Sequence, residues 1–130
     1  MPVTIKQKVR FGVPPGKLYR FYTDPKLHSE LIGGKAKVST EAGAAFSAFG
    51  GSLKGKTLLA KKNKMFVQTW RGGDWSKEEM DSVLVLTFRP IETGTELEMV
   101  HANVPDSEAD DIKKGWKQYY WDPWKAYIKK

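Results

Sequence analysis

The last quarter of the 130-residue chain reads as one amphipathic helix whose apolar face is almost entirely aromatic. From Asp106 to Lys130, the residues Ile112, Trp116, Tyr119, Tyr120, Trp124, Tyr127 and Ile128 recur at three- and four-residue steps. Such steps bring side chains to one side of an α-helix. A stripe of that width has to be covered, and the only available cover is a sheet written in the preceding residues. Trp121 falls off the stripe and is expected at the surface. Gly115, beside Trp116, is expected to let the helix approach the sheet. Asp106 or Ser107 is expected to cap the helix. Glu108, Asp110 and Asp111 follow in its first turns, and Lys125, Lys129 and Lys130 close it, an order that suits the helix dipole. A run of about 22 residues is about 33 Å long, enough to cross a small sheet. Pro123 lies inside the helix and is expected to kink it.

The covering sheet is legible as alternation. Val3, Ile5, Gln7, Val9 and Phe11 alternate with Thr4, Lys6, Lys8 and Arg10, a half-buried strand with a lysine-rich outer face. Lysines on a first strand also suit an edge that must not pair with other molecules. Gly12 and Pro14-Pro15 stop it. Leu18, Tyr19, Phe21 and Tyr22 have helical spacing. Asp24-Pro25 reads as a cap followed by a first-turn proline, so a second short helix starts there, with Leu27 and Leu31 as its apolar face, and ends at Gly33-Gly34. The period then changes to two. A weak strand is expected at Ala36 to Thr40, another strand from Ala44 to Ala48, closed by Gly50-Gly51, and a third from Leu53 to Ala60, interrupted by Gly55. Met65 to Trp70, Ser82 to Arg89 and Thr95 to Val104 follow, with Lys61-Lys62-Asn63-Lys64 as a turn and Arg71 to Glu79 as a polar loop. The order is strand, two short helices, about six antiparallel strands and a long helix. The class is α+β in one domain, residues 1–130.

Bulk properties narrow the functions. Hydrophobic residues are 40% and charged residues 28% of the chain, as in globular domains. The absence of cysteine excludes disulfides, thiolate metal sites and cysteine nucleophiles, and fits a reducing compartment. No apolar run approaches the roughly 20 residues that span a bilayer, and the first residues lack a signal peptide's apolar block. A cytoplasmic protein is expected. The formal charge is +7, but the lysines are scattered along the sequence and read as a solvated surface rather than a phosphate-binding stripe. Nucleic acid is not expected as a partner.

Several segments resemble a known family in order and spacing: Tyr19 to Pro25, ending Phe-Tyr-Thr-Asp-Pro; Phe46 to Gly55, with its double glycine; Val67-Gln68-Thr69-Trp70-Arg71 followed by Trp75; Gly94-Thr95-Glu96-Leu97; His101; Val104-Pro105; and Gly115-Trp116. The chain resembles the START-like, birch-pollen-allergen-like superfamily with the helix-grip fold. Within it, the chain is similar to the family of the C-terminal domain of the activator of the ninety-kilodalton heat-shock protein ATPase. The resemblance implies a seven-stranded antiparallel sheet gripping the C-terminal helix, with a cavity between them. It also implies a heat-shock chaperone as partner and a place in the stress response. Distant relatives are lipid carriers and aromatic-polyketide cyclases. The eukaryotic activator carries an N-terminal domain that engages the chaperone, and these 130 residues hold no counterpart of it.

The residues expected to line the cavity are Phe21, Phe46, Trp70, Met99, His101, Trp116, Tyr120 and Trp124. One reading is an aromatic pocket for a small apolar or lipid-like ligand. The other is a filled core in which each indole N–H finds a partner. His101 shares its parity with Thr95, Leu97 and Met99 and is expected to face inward, as an acid or base or as a hydrogen-bonded core histidine. A cyclase- or hydrolase-like enzyme using His101 is the alternative to a binding domain, but no second catalytic group lies at a defensible spacing. Two histidines without cysteine make no transition-metal site, and no cofactor is expected. Gly50-Gly51 lacks the ending of a phosphate loop, and Asp106 to Asp111 lacks the spacing of a calcium loop. A monomer or weak dimer is expected.

Overall fold

The computed structural model describes residues 2–129. Strand β1 is Val3–Phe11, and helices α1 and α2 are Pro15–Thr23 and Pro25–Ile32. The Asp24 carboxylate accepts from the backbone N–H groups of Lys26 and Leu27 at 3.0 and 3.2 Å, which caps α2 as its Asp-Pro start predicts. The strands β2 (Ala45–Ala48), β3 (Leu53–Lys61), β4 (Met65–Gly72), β5 (Ser82–Ile91) and β6 (Gly94–Val104) complete one antiparallel sheet. Its order is β1-β6-β5-β4-β3-β2, so β1 and β2 are the edges.

Among the described residues the sheet has six strands, not seven. The parity expected at Ala36 to Thr40 is real, since Ala36 and Val38 are buried. The segment nevertheless makes only a single bridge, Lys37 to Ser47. Some of its polar groups, and those of Lys35 before it, find other partners. The Ser29 hydroxyl takes the Ala36 N–H at 2.8 Å, and the Gly50 N–H takes the Lys35 carbonyl at 3.1 Å. A backbone satisfied by a side chain and a turn has no need of a ladder.

Registers set the inner face. Leu84 lies opposite His101, Leu86 opposite Met99, and Phe88 opposite Leu97. Phe66 lies opposite Leu86 and Trp70 opposite Ser82. Gly55 is dictated by proximity: a Cβ there would stand 1.9 Å from the Thr69 carbonyl oxygen on the neighbouring strand.

The C-terminal helix covers this face but is not regular. A 3₁₀ turn at Asp106–Glu108 leads into α3 (Ala109–Trp116), then a π-helical segment (Lys117–Trp121), then α4 (Asp122–Ile128). Neither Asp106 nor Ser107 caps it with its side chain; the start is a 3₁₀ bond from the Glu108 N–H to the Pro105 carbonyl at 2.9 Å. The expected Lys130 terminus lies outside the described residues. Pro123 sits in the first turn of α4, immediately after the π segment. The interruption expected at this proline therefore takes the form of a widened turn before it. Among the described residues no helix is long and apolar enough to cross a membrane.

Candidate functional site

The π segment decides which aromatic side chains face the sheet. On a regular α-helix Trp121 would stand about 140° from Trp116 around the axis. In a π turn, residues five apart come into line, and the Asp122 N–H bonds to the Lys117 carbonyl accordingly. Trp116 and Trp121 stack, with centroids 5.4 Å apart and planes 18° from parallel. Trp121 is thus buried, not exposed, and its indole N–H donates to the Gln7 amide oxygen at 2.6 Å. Tyr119 and Tyr127, expected on the apolar stripe, are 41% and 37% exposed.

His101 is buried at the centre of the inner face. The Trp116 indole N–H donates to His101 Nδ1 at 3.2 Å, so Nδ1 carries no proton and Nε2 does. His101 Nε2 then donates to Ser82 Oγ at 2.7 Å, and Ser82 Oγ donates to the Trp70 carbonyl at 2.6 Å. Every donor in this chain has one acceptor. Burial holds the imidazole pKa down at about 3, so the ring is neutral at pH 7. Protonation would place a proton on Nδ1 against the Trp116 N–H. This is the wiring of a core histidine rather than of a poised base.

A second network was not legible in the sequence. His28, on α2, is also buried. Its Nδ1 lies 2.8 Å from the Tyr22 carbonyl, which only accepts, so Nδ1 carries the proton. Nε2 therefore accepts from the Tyr120 hydroxyl at 2.9 Å. Burial lowers the His28 pKa to about 4, against an opposing hydrogen bond to the Tyr22 carbonyl. The Tyr22 hydroxyl donates to Gln68 Oε1 at 2.6 Å, tying helix α1 to β4. The only hint was the pairing of helical spacing with a histidine one step from Leu27.

The expected cavity is largely filled. Phe21, Phe46, Met99 and Trp124 are packed core, and Phe21 and Trp124 touch edge to face at 5.6 Å. The indole N–H groups of Trp70 and Trp124 are buried without a hydrogen-bond partner, unlike those of Trp116 and Trp121. Space survives as an open cleft of about 390 Å³ between the helix and the β2–β3 connection. Trp70, Trp116 and Tyr120 of the expected residues line it, joined by Phe49, Leu53, Ile112, Gly115 and Tyr119. Phe49 holds a positive φ of 53° and meets Tyr119 edge to face at 5.1 Å. Gly115 does not bring the helix against the sheet. A Cβ there would touch only Tyr119 Cδ2, at 3.9 Å, so the missing side chain leaves the cleft open.

Among the described residues no cluster of histidine and acidic side chains could hold a metal ion. An antiparallel sheet closed over a long C-terminal helix defines a helix-grip domain. The chain belongs to the family described as "Activator of Hsp90 ATPase homolog 1-like protein", which matches residues 12–129. It is 27% identical over 120 residues to the human "Activator of 90 kDa heat shock protein ATPase homolog 1", covering 92% of this chain and 35% of that protein. The Dictyostelium discoideum homologue of that name is 29% identical over 119 residues, covering 88% and 30%. The chain thus spans about a third of the length of the curated relatives it matches. An HSP90 activator from Plasmodium falciparum superposes with a TM-score of 0.82 at 27% identity, covering 94% of this chain and 91% of that one. A Chromobacterium violaceum protein at 23% identity shares the fold, with a TM-score of 0.80 and 99% of each chain covered.

Proposed function

We propose that this domain is a non-enzymatic binding module that takes a small apolar molecule in the cleft beside Gly115. The supporting observation is Gly115 itself. A glycine inside a helix costs about 1 kcal/mol relative to alanine, and here no close packing requires it. What it leaves is an apolar cleft of about 390 Å³, within the size range of small-molecule sites. Trp70, Trp116 and Tyr120 give it rigid aromatic walls. The neutral, fully engaged His101 supports binding rather than turnover. The test is a titration with a polarity-sensitive naphthalene dye and with medium-chain fatty acid, followed by tryptophan emission and amide spectra. Shifts at Leu53, Ile112 and Tyr119, abolished in Gly115→Leu without loss of melting temperature, are expected. Binding that survives Gly115→Leu unchanged would remove the cleft from consideration.

A second reading rests on the relatives named as activators of a heat-shock ATPase. In it the domain associates with a chaperone of that class. Adding the purified chain to such a chaperone and measuring ATP hydrolysis tests it. An unchanged rate together with no co-elution would dismiss it.

A further inference from the structure

The lysines that look scattered along the sequence are gathered by the fold. A groove of about 510 Å³ runs between the edge strand β1 and the C-terminal helix. Its walls carry Lys8 from the strand and Lys113, Lys114, Lys117 and Lys125 from the helix. Among the described residues the only acid lining it is Asp122, which is already paired with Lys117 at 3.0 Å. Lys8 faces Glu98 at 3.7 Å, both side chains solvated. Lys113, Lys114 and Lys125 have no carboxylate partner among the described residues. The walls are held in place by Gln7, whose amide accepts from the Trp121 indole and donates to the Lys113 carbonyl at 3.4 Å. The groove is therefore built before any partner arrives.

Two further features select the partner. β1 is an edge, so the row of backbone groups on its outer side has no strand beside it. An extended chain can add to such an edge through main-chain hydrogen bonds. Val9 is half-buried and offers apolar contact, while Trp121 is buried and offers no free face on which a nucleobase could stack. Main-chain pairing, cationic walls and no stacking platform fit a polypeptide better than a nucleic acid.

We propose that the groove between β1 and the C-terminal helix docks an extended acidic segment of a partner protein. The helix-side lysines neutralise its carboxylates while its backbone pairs with β1. The site is separate from the apolar cleft and does not depend on the cleft binding anything.

The test uses the full chain and a fluorescein-labelled peptide of alternating glutamate and valine. Anisotropy is read at low and moderate salt, with amide spectra in parallel. Shifts at Gln7, Lys8, Val9 and the Trp121 indole are expected. The triple change Lys113→Glu/Lys114→Glu/Lys125→Glu should weaken binding by at least about tenfold. Lys61→Glu/Lys62→Glu/Lys64→Glu alters net charge equally at the β3–β4 turn and should leave affinity within about twofold. Gly115→Leu should leave it unchanged, which separates this groove from the cleft. Equal loss in both triple variants, no binding at low salt, or displacement of the peptide by single-stranded DNA at matched charge would each overturn the proposal.

Discussion

Both buried histidines are neutral in the fold, and their cost appears on acidification. Each has its pKa held below the ordinary value of 6.5, His28 to about 4 and His101 to about 3, chiefly because burial penalises the charged ring. In the unfolded chain each would protonate near 6.5. Their contribution is therefore complete above that pH and is lost as pH falls toward the folded values. The slope is up to about 1.4 kcal/mol per pH unit for each ring, and less once other groups titrate. Denaturant melts should be level above about pH 6.5 and show stability declining from there to pH 4.5. His28→Gln should flatten that decline, and an equally steep limb in the variant would reassign it to other groups. For His101→Gln at pH 7, the flexible amide must accept from Trp116 and donate to Ser82 without the rigid placement of the ring. A loss of about 1–3 kcal/mol is expected, the range for stranding a buried donor. Trp116→Ala removes a ring, a stack on Trp121 and that hydrogen bond, and should cost about 3–5 kcal/mol by chemical denaturation.

At the scale of the element, the helix carries two departures from regularity, and they predict different responses. Gly115→Ala adds a methyl group into open space and restores helix propensity, so a gain of about 0.5–1 kcal/mol is expected. A loss in the melting curve would mean that the helix needs the glycine for close approach after all. The π segment behaves as one extra residue in an α-helix. Deleting exposed Gln118 should convert it to a regular turn in which Trp121 follows Trp116 by four positions and still faces the sheet. The deletion is expected to unfold cooperatively within a few degrees of the parent. Loss of a cooperative transition would show that the widened turn itself is required. The helical period was legible from Trp116, Tyr120 and Trp124. The bulge was not, because a period of 3.6 is read by assuming that it never changes. The weak strand at Ala36 to Thr40 misled for a related reason: alternation reports which side chains are buried, not whether the backbone joins a ladder.

In the whole molecule the sheet and helix are each other's solvent shield. Phe11 meets Trp121 and Trp124, Phe21 meets Trp124, and Tyr22 meets Tyr120, at centroid distances of 5.6–6.3 Å. Ending the chain after Lys117 would strip that cover from β1 and α1. Circular dichroism should then show no cooperative melt, since a sheet with one uncovered apolar face is not stable in water. A sharp transition retained by the truncated chain would mean that the two short helices suffice.

Local chemistry determined the parts of this protein that neighbouring residues decide between themselves. Alternation placed Leu97, Met99 and His101 inward, Asp24-Pro25 started a helix, and Gly50-Gly51 adopted the positive φ of a turn. The family resemblance supplied the topology and, with it, a cavity. Only the tertiary structure decided how much of that cavity exists, because occupancy depends on volumes contributed by residues far apart in the chain. It also set both histidine networks, since His28 accepts from Tyr120, 92 residues away, and the tautomer of His101 follows from Trp116, 15 residues away. The lysine groove belongs to the same category. Gln7 and Lys113 become neighbours only when the sheet edge meets the helix, and no pattern along one strand or one helix records such a meeting.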